Sequence, residues 1–163
     1  MTDAVLSIGS NVGDRLGHLQ SAVDSLRSFL GAVSPVYETP PWGPVDQPDY
    51  LNAVLLASDE RADPQVWLVR AHAAEEVAGR VREVRWGPRT LDVDVITVDE
   101  IRLGDPRLTL PHPRAALRAF VLVPWLAVDP KARLSGDAVG DLVARLPSSE
   151  VSAVRIRPDL VLG

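Results

Sequence analysis

The chain has 163 residues, 46% hydrophobic and 24% charged, with a formal net charge of −5 and no cysteine. This size and balance predict a single soluble domain with a real core, and the missing cysteines exclude disulfide and thiolate chemistry. No apolar run approaches the roughly 20 residues of a membrane span, and "MTDAVLSIGSN" lacks the regions of a signal peptide, so no membrane partner and a cytoplasmic location are expected.

"AVLSIGS" (4–10) reads as a first strand, ended by Gly9. Residues 13–31 carry apolar side chains at 16, 19, 23, 26 and 30, the helical period, with Asp14 as N-cap and Gly31 beyond the C-terminus. "VSPVYE" (33–38) predicts a second strand, made irregular by Pro35. "TPPWGPVDQPDY" (39–50) holds four of the 14 prolines and predicts a long, stiffened loop of the kind that carries function. "YLNAVLLA" (50–57) is a third strand, and Asp63-Pro64 opens a helix running to about Ala78. "TLDVDVITV" (90–98) is a fourth strand, 110–130 a turn with short helical pieces and a Pro-interrupted apolar stretch, and the tail adds a strand. Strand, helix, strand, strand, helix, strand is the split βαβ order. It predicts an α+β, ferredoxin-like fold: an antiparallel sheet with helices packed on one face.

Charge is distributed unevenly. Residues 80–118 hold eight arginines against six acids, a local +2 that leaves −7 elsewhere, and Lys131 is the only lysine. The arginine fork suits phosphate oxygens. An acidic chain with one arginine cluster points to a small polyanion and away from nucleic acid.

Asp92 and Asp94 sit two apart in an otherwise apolar strand. Strand side chains alternate, so both project from one side, about 7 Å apart, while Leu91, Val93 and Val95 take the other. Two carboxylates on a rigid strand suit Mg²⁺, which uses few carboxylates plus substrate phosphates. They can hold one ion or share two, or simply pair with arginines or face water. Arg85, Trp86 and Arg89 lie just upstream, and His112, Arg114 and Arg118 follow. Acids for a metal and arginines for phosphates are the parts of a phosphoryl-transfer site, and no Walker-type loop is present. "GSNVG" (9–13) reads as a simple turn. Tyr50 and Asn52 share a strand face, an aromatic plane beside an amide, which suits a flat heterocycle. Trp42 and Phe120 are further stacking candidates or core. His18 reads as a surface helix residue. His72 and Glu75, three apart, either face one ligand or are an exposed pair.

"GPRTLDVDVI", "ETPPWGPVDQPDYLNAV", "GSNVGDR" and "LTLPHPRAALRAFVLVP" together closely resemble the 6-hydroxymethyl-7,8-dihydropterin pyrophosphokinase family of folate biosynthesis. The resemblance covers about residues 4–136, and G-P-R-x-x-D-x-D is far more specific than Asp-x-Asp. It implies transfer of the pyrophosphoryl group of ATP to the pterin's hydroxymethyl oxygen, with release of AMP, by a monomer. Asp92 and Asp94 would hold two Mg²⁺ ions, and Arg80, Arg82 and Arg89 would handle phosphates. Arg118 would lie near the site. His72, Glu75, Trp86, Arg107, Thr109 and His112 would lie on the nucleotide side. The pterin would stack between Tyr50 and Phe120, its edge read by Asn52 and by backbone near Thr39, Pro41 and Trp42. Trp42 stands where the family commonly has Leu, and Pro113 where an aromatic is frequent. The Arg82–Trp86 stretch is a residue shorter than in some members. The last ~25 residues, a boundary drawn from composition, carry no legible motif. Two other readings share these residues: a ligand-sensing domain whose aspartates pair with arginines, and a metal-dependent nucleotidyl or glycosyl transferase.

Overall fold

The computed structural model describes residues 2–41, 43–79 and 90–163. The first strand, β1 (Thr2–Ser10), runs through Gly9 rather than ending there. In α1 (Arg15–Leu26), the Asp14 carboxylate accepts from the Gly17 N–H at 3.0 Å and so caps the helix. Leu19, Ala22, Val23 and Leu26 form its buried stripe. The helix stops earlier than its periodicity predicts. Residues Arg27–Phe29 tighten into a 3₁₀ turn, and β2 (Leu30–Val33) begins at once, so Gly31 lies in a strand. Pairing of Leu30 with Ala57 draws this segment into the sheet.

The strand expected over 33–38 is instead two, β2 and β3 (Tyr37–Thr39), parted at Pro35, which has no N–H for a ladder. Ser34 bridges the break: its N–H donates to the Val54 carbonyl at 2.9 Å, and its hydroxyl oxygen accepts from the Val54 N–H at 2.8 Å. After β4 (Tyr50–Asp59), Asp63 caps α2 (Pro64–Val77), accepting from the Val66 N–H at 3.0 Å, with Pro64 in the first turn. The fourth predicted strand is β5 (Asp92–Val98). Beyond it come the short ribbon β6 (Leu103–Gly104) and β7 (Thr109–Leu110), then α3 (Ala119–Val128), β8 (Arg133–Leu134), β9 (Asp137–Ala138), α4 (Val139–Arg145), α5 (Ser148–Ser152) and β10 (Arg155–Ile156).

Among the described residues, six strands form one antiparallel sheet in the order β10-β3-β4-β1-β5, with β2 also on β4. This is the α+β, split βαβ arrangement, with one addition: helices cover both faces of the sheet, not one. On one face α1 and α2 bury Leu6, Ile8, Leu51, Leu55, Val93 and Trp67. On the other, α3 and α4 bury Val54, Ile96, Leu122 and Trp125. The reason lies in "AFVLVPWLAV". It forms one helix with Pro124 inside it, and a helix apolar all round must be covered all round. A bulge in β5 serves both layers. Val5 pairs with Thr97 and Leu6 with Val95, so Ile96 is the extra residue and faces α3, while Val98 returns to the α1–α2 core.

Candidate active site

The sheet register assembles the site. Tyr37, Asn52, Gly9 and Asp92 lie in one cross-strand row over β3, β4, β1 and β5, and Val54, Ser7 and Asp94 in the next. Residues directly opposite project to the same face. The shared face is the one carrying Val54 and Ile96, beneath α3. Asn52 and Asp92 are two strand spacings apart, roughly 10 Å, and the residue between them is Gly9. A Cβ there would stand 2.6 Å from Asn52 Oδ1 and 3.4 Å from the Tyr50 ring. The space between the amide and the acid therefore depends on a missing side chain.

Asn52 and Thr39 are both buried, and Asn52 Nδ2 donates to Thr39 Oγ1 at 2.6 Å. Thr39 is also opposite Tyr50, so Thr39, Tyr50 and Asn52 form one unit. Phe120 follows at the start of α3, and the Arg118 guanidinium carbon is 5.3 Å from the centre of its ring. Thr39, Pro41 and Phe120 border a cavity of about 180 Å³.

Around the aspartates the field is mixed. Burial lowers the Arg118 pKa from its ordinary value, and Asp94 and then Asp92 act against that shift. Burial also pushes the His112 imidazole down, opposed by Asp94 and reinforced by Arg118 and Arg114. The His112 backbone N–H donates to the Ile96 carbonyl at 2.8 Å, which ties "LPHPR" to the strand bearing Asp92 and Asp94. Carboxylates, guanidinium and imidazole thus converge at one end of β5. Both aspartates are half-buried. Two hard oxygen donors beside a residue without a side chain fit a divalent ion whose other ligands come from phosphates and water.

His72 and Glu75 do not share an environment. His72 is exposed, whereas Glu75 is buried and its Oε2 accepts from the Val93 N–H at 3.0 Å. Val93 lies between the two aspartates, so Glu75 braces the strand that presents them. Arg107 and Thr109 are exposed around the β6–β7 ribbon, tied to Asp105 by the Arg107 N–H at 2.7 Å and the Thr109 hydroxyl at 3.1 Å. Trp42, Arg80, Arg82, Trp86 and Arg89 lie outside the described residues.

The sequence reading missed the base of the 40–49 loop. Asn11, in the supposed simple turn, is buried, and its Nδ2 donates to Gln47 Oε1 at 2.8 Å and to the Pro48 carbonyl at 2.9 Å. Arg15 Nη1 donates to Glu38 Oε2 at 2.7 Å and to the Asp49 carbonyl at 3.0 Å. Burial raises the Glu38 carboxyl, but Arg15, Arg157 and Arg155 outweigh it and hold its pKa below the ordinary carboxylate value. His18, expected at the surface, is half-buried, with Nδ1 3.2 Å from Ser10 Oγ. Asn11 sits in a Gly-flanked, polar string, and its amide was the available signal.

A model of the 7,8-dihydro-6-hydroxymethylpterin-pyrophosphokinase family matches residues 5–130. The chain belongs to that family. Relatives named 2-amino-4-hydroxy-6-hydroxymethyldihydropteridine pyrophosphokinase agree. That of Mycobacterium bovis is 49% identical over 100% of this chain and 94% of its own length. That of Methylorubrum extorquens is 41% identical over 94% of this chain and 99% of its own. Among solved structures, wild-type Plasmodium falciparum HPPK-DHPS with SDX-DHP superposes with a TM-score of 0.69 at 14% identity, a likeness of fold. The match covers 88% of this chain and 44% of that one. Among the described residues, one face of β4, β1 and β5 carries Tyr50, Asn52, Asp92 and Asp94 in three neighbouring rows. Among the described residues, no helix is long and apolar enough to cross a membrane.

Proposed function

We propose that this chain transfers the pyrophosphoryl group of ATP to the hydroxymethyl oxygen of 6-hydroxymethyl-7,8-dihydropterin on the α3-side face of β4, β1 and β5. The observation that carries the reading is the shared face: the buried amide of Asn52 and the Asp92 carboxylate in one row with only Gly9 between them, and Asp94 in the next row beside Asp92. The pterin ring lies over Tyr50 and under Phe120, its edge read by Asn52, whose amide is held by Thr39. The hydroxymethyl arm crosses Gly9 toward Asp92 and Asp94. A roughly 10 Å separation matches a small heterocycle with a one-carbon arm.

Asp92 and Asp94 would hold two Mg²⁺ ions, which when bound neutralise triphosphate charge. The hydroxymethyl oxygen forms a bond to the β-phosphorus as the bond to the bridging oxygen of the α-phosphate breaks. AMP leaves with that electron pair, and the proton of the hydroxymethyl group passes to water, with the Asp94 carboxylate nearby to favour its loss. Arg118, beside the ring of Phe120 and within the field of both carboxylates, holds positive charge at the border of the two substrates. His112, Arg107 and Thr109 form the nucleotide side. The enzyme acts as a monomer in the cytoplasm on these two small molecules.

Product analysis with ATP, Mg²⁺ and the reduced pterin tests this. The expected result is AMP in step with a pyrophosphorylated pterin, and no transfer without Mg²⁺. Release of pyrophosphate or a nucleoside diphosphate would favour a nucleotidyl or glycosyl transferase, and no turnover would favour a sensing domain.

A further inference from the structure

The family match ends at residue 130, yet the segment beyond it reaches the acceptor side of the site. The cavity bordered by Thr39, Pro41 and Phe120 is closed on its far side by Ser149, Ala153 and Val154, in and just after α5. At about 180 Å³ it is smaller than the ~300–1,000 Å³ of a whole small-molecule site. Tyr50 and Asn52 do not line it; it shares Thr39, Pro41 and Phe120 with the acceptor side, and so has room there for one end of a ligand only.

The same segment also grips the loop that forms the near wall. Immediately after α5, β10 pairs with β3, Arg155 with Glu38 and Ile156 with Tyr37. Glu38 precedes the 40–49 loop and Asp49 closes it. Arg155 Nη2 lies 3.5 Å from Glu38 Oε1 and 3.1 Å from Asp49 Oδ2, so one guanidinium spans both feet. Arg157 adds a contact to Glu38 at 3.2 Å. Exposed ion pairs contribute little one at a time, so the strand pairing and the wall, more than any single arginine, set the geometry.

We infer that α5 and the Ala153–Val154 turn after it, anchored to β3 by β10, form a wall of the acceptor site, with Ala153 as a specificity-determining position that limits the size of the bound pterin's inner end. This inference rests on the proposed function. A larger side chain at Ala153 occupies the cavity, and a half-buried alanine just past a short helix accepts one without disturbing either core.

The test measures binding of the reduced pterin and of a non-hydrolysable ATP analogue to the wild-type chain, Ala153→Leu and Ser149→Leu, with a thermal melt of each. Ser149 is exposed, and its replacement narrows the same wall without burying anything in the fold. The expected result is a rise of roughly tenfold in pterin Kd, about one decade of affinity, for either variant that melts like wild type, with nucleotide Kd unchanged. Wild-type pterin affinity in both folded variants overturns the inference while leaving the proposed function standing. Failure of the wild-type chain to bind or turn over pterin overturns the function itself.

Discussion

Gly9 shows how one absent side chain organises the face. Its neighbours in the row are polar and large, and a methyl group would sit 2.6 Å from the Asn52 carbonyl oxygen. The amide would have to turn, at the expense of its 2.6 Å bond to Thr39. Gly9→Ala should therefore cost about 1–3 kcal/mol in urea unfolding. It should also raise the pterin KM while leaving the ATP KM near wild type. Equal effects on both KM values would mean that Gly9 shapes the whole sheet rather than the acceptor end. From sequence, Gly9 read as the end of a strand. Its role appears only through cross-strand pairing with Asn52 and Asp92, residues 43 and 83 positions away.

At the scale of elements, β5 is the part on which most depends. Among the described residues it lies at the edge of the sheet, with acids on one side and core on the other. Its Val93 N–H points away from β1 to Glu75 on α2, so a helix carboxylate takes the place that a neighbouring strand's carbonyl would fill. Glu75→Ala leaves that buried N–H without this acceptor. We expect a loss of about 1–3 kcal/mol in denaturant unfolding, with reduced turnover, and recovery of most of both in Glu75→Gln, which keeps an amide oxygen. A Glu75→Gln variant as impaired as Glu75→Ala would show that the charge itself is used. The sequence placed Glu75 next to His72 by helical spacing alone, and spacing does not tell which face of a helix is buried. Caps were legible because they are local: Asp14, Asp63 and Pro64 do what their positions predict. The end of α1 was not, because pairing of β2 with β4 decides it.

For the whole molecule, element order gave the antiparallel α+β architecture, and the family expectation is borne out by the match over residues 5–130. The second layer was harder to see. Nothing in "AFVLVPWLAV" has a polar side to mark it as a surface helix, and its partner α4 lies in a stretch that carries no motif. The C-terminal strand was anticipated, but its place against β3 follows from Glu38, Asp49 and three arginines brought together from distant positions. The central claim is that Asp92 and Asp94 act on the phosphates while the acceptor is held across Gly9 by other groups. Single-turnover transfer by Asp92→Asn and Asp94→Asn, with pterin affinity measured alongside, tests it most directly. The account predicts a fall of at least ~10²-fold in the transfer rate with pterin affinity close to wild type; near-normal transfer by either variant would contradict it.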